Sequence, residues 1–126
     1  MPHIHVHWAR LDDGRLGTHR GHRIWLDPRQ RQAQRRSTLT HELVHLHRGD
    51  DGCQSPSAEV EVERAAARLL IPLDALARAI AWARCEQDLA DELHVDIAMV
   101  RARLAGLSPG ERWQIEDVVG RREEPC

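Results

Sequence analysis

Polar and apolar residues alternate over residues 3–8, His-Ile-His-Val-His-Trp, and a period of two marks a strand. Ile4, Val6 and Trp8 are expected on its core face, with His3, His5 and His7 on the other. Asp13-Gly14 follows as a turn signal, and residues 15–19 and 22–26 flank Gly21 as a hairpin would. The first quarter of the chain thus predicts a small antiparallel sheet. At Asp27-Pro28, an acid before a proline, the pattern turns helical. That helix should run to Gly49, with Leu39, Leu43 and Leu46 on one stripe and His41 and His45 nearly opposite. The leucines would then pack on the sheet and the histidines face a cleft.

Residues 49–57 are a loop by composition. A second helix is expected over 57–71, stopped by Pro72, and a third over 73–84. Two shorter helical patterns follow, at 86–93 and 96–105. Ser108-Pro109-Gly110-Glu111 is a capping box that opens a last helix, expected to end near 119. The class predicted is α+β, one domain over 1–126, with a catalytic core in 1–84 and a helical subregion in 85–126.

Composition narrows the choice of partners. All four aromatic residues are Trp, so the core must be built from Leu, Val, Ile and Ala. Residues 1–50 carry nine Arg against five acids, and 51–126 nine against fifteen. A net charge of −2 split this way gives no case for nucleic acid or an anionic membrane. Three cysteines without paired spacing, and no apolar run near the roughly 20 residues that span a bilayer, point to a soluble intracellular protein with reduced thiols.

The chemistry sits in His41-Glu42-Leu43-Val44-His45, an H-E-x-x-H box. Side chains four apart on a helix lie about 40° apart around the axis, so both imidazoles can reach one zinc ion. Glu42 then stands beside the metal, where a carboxylate can take a proton from water. A catalytic zinc needs a third protein ligand. On the second helix Glu59 and Glu63 share a face with Val62, Ala66, Leu69 and Leu70, whereas Glu61 groups with Arg64 and Arg68 on the solvated side. An acid pair on an apolar face is costly unless compensated. Glu59 is therefore expected as ligand and Glu63 as the carboxylate that orients a ligand histidine, or the reverse.

The box, the helix reading Glu59-x-x-Val62-Glu63 and the run Ala66-Ala67-x-Leu69-Leu70-Ile71-Pro72 together resemble the ImmA/IrrE metallopeptidases. The segments 14–17 and 24–27 resemble a short, phage-encoded actinobacterial branch of that family. Glu63 departs from the family's usual Asp or Asn by one methylene. The resemblance implies a cytoplasmic zinc endopeptidase that cleaves a transcriptional repressor of a phage or mobile element, with Glu42 as acid and base. It also implies an oxyanion donor, usually Tyr. This chain has no Tyr, which leaves His94, His47, His19 or an Arg.

Other features have plainer readings. His3, His5 and His7 are taken as a solvated strand face, since alternate positions lie about 7 Å apart. His47 is read as a surface residue and Cys53 as a free loop thiol. Arg29, Arg31, Arg35 and Arg36 are expected on a solvated helix face. Residues 88–105 have a helix-turn-helix look, with Arg101 and Arg103 on the second helix. Their acidic flank repels phosphate, so a structural or substrate-docking role is preferred to DNA binding. The rival functions are a metal-stabilised regulator that binds a repressor without cleaving it, and a DNA-binding regulator.

Overall fold

The computed structural model describes residues 3–12, 14–50 and 54–123, the last two without their side chains. Three short strands, β1 (His5–Trp8), β2 (Gly17–Arg20) and β3 (Arg23–Leu26), precede six helices. These are α1 (Gln32–Arg48), α2 (Pro56–Leu70), α3 (Leu73–Trp82), α4 (Glu86–Leu93), α5 (Ile97–Ala105) and α6 (Pro109–Glu123). The α+β class stands, but the sheet is mixed. Its order is β1-β3-β2, with β2 antiparallel to β3 and β1 parallel to it. The hairpin turns at Gly21, whose φ of 60° suits glycine. The loop between β1 and β2 instead crosses the end of β3, tied there by Ala9 N to Leu26 O (3.0 Å) and Asp27 N to Leu16 O (2.9 Å).

Asp27 is the staple of that crossing. It is buried, and its carboxylate accepts from Leu11 N (3.0 Å), Arg29 N (2.9 Å) and the Arg29 guanidinium (2.6 Å). The residue expected to cap α1 closes a local turn instead, and the helix begins five residues later. Gln30, also buried, donates to Leu16 O and Asp27 O at 2.8 Å and accepts from Thr38 Oγ1, so it fastens the loop to α1.

Two expected faces are corrected. Ile4, Val6 and Trp8 are all exposed, as are His3, His5 and His7, because β1 is an edge strand with little packed on either side. His7 stacks on Trp25 and the Arg35 guanidinium lies over Trp8. The sheet's buried side chains are Ile24 and Leu26 of β3. On α1, Leu39, Leu43 and Leu46 are only half-buried, and the buried residues are Ser37, Glu42, Val44 and His45. The leucine stripe falls between the two surfaces the helix packs on, the sheet and α2. Gly17 shows how close the sheet comes: a Cβ there would lie 2.5 Å from Thr38 Cγ2 and 3.4 Å from Glu42 Cγ.

The main apolar cluster runs through the helices, from Val44 through Val62, Ala66, Leu76 and Val100 to Ile115. It holds no aromatic residue. Leu69, expected inside, is 71 % exposed. Ser55 and Asp96 cap α2 and α5, and the Ser108–Glu111 box closes reciprocally at 3.0 and 3.1 Å. The helix-turn-helix look is real as shape, with α4 and α5 joined at His94 in the left-handed conformation. Its arginines are used internally. Arg103 is buried and donates to Ile71 O (2.8 Å) and Glu111 (3.2 Å), while Arg101 pairs with Glu86 (2.7 Å). Arg29 and Arg36 are likewise tied down, the latter to His94 O (2.8 Å), and are more than solvated decoration. Among the described residues no helix is long and apolar enough to cross a membrane.

The Asp27 carboxyl is held well below the usual carboxylate range, first by its hydrogen bond from Arg29 and then by backbone N–H donors. A lowered folded value adds stability that is full above the unfolded value of about 3.9 and is lost as pH falls below it. Asp27→Asn should lower the melting temperature at pH 7, with the gap to wild type narrowing below about pH 4 in thermal scans. A gap independent of pH would contradict this role.

Candidate metal centre

Helix α1 carries the box, and its end shapes the centre. Gly49, at φ 78°, turns the chain left-handed and donates to Leu46 O (3.1 Å), while Asp50 N returns to His45 O (3.0 Å). That reversal brings the Asp50 carboxylate to His45 Nδ1 at 3.0 Å. Arg48 Nε holds the same Asp50 oxygen at 3.3 Å. With its proton fixed on Nδ1, His45 presents the Nε2 lone pair to the opposite side.

On that side three electron-pair donors converge. His45 Nε2 lies 3.2 Å from His41 Nε2 and 3.1 Å from Glu59 Oε2, and His41 Nε2 lies 3.2 Å from the same Glu59 oxygen. The ligand atoms of the three residues all fall within 4.8 Å of one another. Side chains of His45 are 3 % exposed, of His41 25 % and of Glu59 33 %, so the group is rooted in the interior at His45 and open to solvent at the other two. Three lone pairs aimed together repel unless a cation lies among them. Two imidazoles and a carboxylate are also the donor set of open zinc sites. The residues therefore fit a single metal ion, with Asp50 setting the ring of one ligand.

Glu42 is buried beside this group, and His19 from β2 donates to its Oε2 from Nδ1 at 2.5 Å. His19 Nε2 reaches Asp50 O at 3.1 Å, and the His19 ring stacks on His45 at 4.9 Å. Gly17 makes this possible, since a side chain two residues before His19 would push β2 off α1.

Helical phase sets Glu59 and Glu63 on one face of α2 and Glu61 on the other, and leaves open which of the first two is the ligand. The structure brings Glu59 to the histidines and leaves Glu61 exposed against Arg48. Glu63 is exposed on the wall of an adjoining cavity, and the carboxylate that orients His45 is Asp50. Asp50 was missed because its signal is local geometry. A left-handed glycine at a helix end folds the next residue back over the last turn. Of the four candidate oxyanion donors, His94 caps α4 and His47 lies on the outer side of α1. His19 is committed to Glu42, and Arg15 lines the cavity that contains His41, His45 and Glu59. Cys53 lies outside the described residues.

A family model, Peptidase_M78, described as the IrrE N-terminal-like domain, matches residues 4–105. No curated protein and no solved structure matches the chain.

Metal content measured on purified variants tests the centre. Glu59→Ala should abolish binding of about one ion per chain, Glu61→Ala should keep it, and Asp50→Asn should weaken it about 10–100-fold. Equal retention in the Glu59 and Glu61 variants would sink the assignment.

Proposed function

We propose that this chain, which belongs to the Peptidase_M78 metallopeptidase family, is a zinc-dependent endopeptidase. Its substrate on this reading is a bacterial cytoplasmic protein, a transcriptional repressor of a phage or mobile element. The observation that carries the reading is the convergence of His41, His45 and Glu59 beside a buried Glu42. His41, His45 and Glu59 would hold the ion. Bound there, zinc supplies Lewis acidity, which makes water nucleophilic near neutral pH and polarises a carbonyl.

The residues of the chain divide the remaining work. Glu42 takes the proton of the attacking water at its carboxylate and returns it to the leaving amine. Its position is held by His19, whose N–H fixes Oε2, and the residue lines the cleft. Asp50 keeps His45 in the tautomer a ligand needs. Arg15, which lines the same cavity, is the cation available to stabilise charge on the carbonyl oxygen as the carbon becomes tetrahedral. Burial of Glu42 and His45 keeps bulk water from competing for these contacts.

The fate of Arg103 favours an enzyme over a DNA-binding regulator, because the side chain a recognition helix would offer to phosphate is inside. Glu42→Gln separates the enzyme from a metal-stabilised binder. With a repressor encoded beside it as substrate, that variant should lose about 10²–10⁴-fold in cleavage rate while retaining zinc. Unchanged cleavage, or an unchanged regulatory phenotype in cells, would refute the peptidase.

A further inference from the structure

Two cavities meet at Glu42. The smaller, about 230 Å³, holds Arg15, His45 and Glu59. The larger, about 380 Å³, extends from the same Gly17, His41 and Glu42 to α2 and α5. They form one cleft, with the Glu42 carboxylate at the junction. A peptide bond that reaches Glu42 must leave a flanking side chain in the larger cavity.

The walls of that cavity are specific in character. Leu16, Ala98, Met99 and Ala102 make an apolar lining, and the two alanines leave the width free. Ser37 and Thr38 have spent their hydroxyl protons on Ala33 O and on Gln34 O and Gln30 Oε1. Besides Glu42, two carboxylates remain, Glu63 from α2 and Asp96, the cap of α5. Asp96 uses one oxygen to cap Met99 N, at 2.8 Å. Glu63 has no hydrogen bond or ion pair among the described residues, and no Arg lines the cavity.

We infer that the larger cavity is the subsite for a basic side chain, arginine or lysine, beside the scissile bond. The inference rests on the peptidase reading for its place in the reaction, though not for the binding it predicts. An aliphatic stem fits the apolar walls, and a cationic head meets Glu63 and Asp96, which have no ion-pair partner among the described residues. An acidic side chain would be repelled, and a purely apolar one would cover both carboxylates without pairing them. The cleft is therefore sorted by charge, with Arg15 on one side of Glu42 and Glu63 and Asp96 on the other.

Binding can be read without turnover on the zinc-loaded, full-length Glu42→Gln protein. The probes are blocked peptides of randomised sequence with one fixed position, occupied by Arg, its neutral isostere citrulline, Leu or Glu. Arg peptides should bind roughly three- to tenfold more tightly than citrulline peptides, as partly exposed ion pairs allow. The margin should shrink with added salt. Adding Glu63→Gln or Asp96→Asn should reduce the preference, and Glu63→Lys should turn it toward Glu peptides. Equal binding of Arg and citrulline peptides, a preference untouched by these substitutions, or no binding at all would overturn the subsite. Cleavage is measured separately on wild type: no cleavage with the Arg preference intact refutes the peptidase and leaves the basic subsite standing.

Discussion

Helix α1 buries polar side chains where an ordinary amphipathic helix would bury leucines, and the rest of the structure follows from that constraint. Glu42 and His45 are 7 % and 3 % exposed, and a buried polar group without a partner costs several times what a satisfied one contributes. Every neighbouring element supplies such a partner. β2 brings His19 to Glu42, the left-handed turn at Gly49 brings Asp50 to His45, and α2 brings Glu59 to both box histidines. The sheet is small and half-exposed because its task is narrow: it holds one histidine and one cleft wall against α1.

The same constraint explains the care with which the N-terminal loop is tied down. Three strands of four residues cannot hold a position by burial alone. Asp27, Arg29 and Gln30 replace apolar packing with a hydrogen-bonded clasp around the end of β3. The clasp fixes the segment that carries Arg15, Leu16 and Gly17 into the cleft. The helical half is built the other way, from small aliphatic side chains in one cluster that draws on both sides of residue 85. It carries Glu59 and the α5 wall of the larger cavity on a rigid frame. A cleft between a clasped loop and a packed helical frame suits a site that must accept an extended chain.

Much of the candidate centre was legible because helical phase is a local property. Spacing of four put His41 and His45 together, and phase on α2 distinguished Glu59 from Glu61. Where reading by phase went astray, the cause was tertiary. Leu39, Leu43 and Leu46 do form a stripe, yet the sheet and α2 press on the helix to either side of it. Ile4, Val6 and Trp8 alternate correctly, yet β1 lies at an edge with little packed on it among the described residues. Arg103 reads as a surface cation and is buried because Ile71 O and Glu111 receive it.

The helices, the Ser108–Glu111 capping box and the three donors on α1 and α2 were set by the sequence alone, since each depends on residues within a few positions of one another. Only the tertiary structure decided what completes the centre. His19 is 23 residues from Glu42 and the wall of the larger cavity comes from four separate elements. No periodicity relates such positions. They meet because burying a carboxylate and an imidazole on α1 requires hydrogen-bond partners, and the chain must fold back from both directions to provide them.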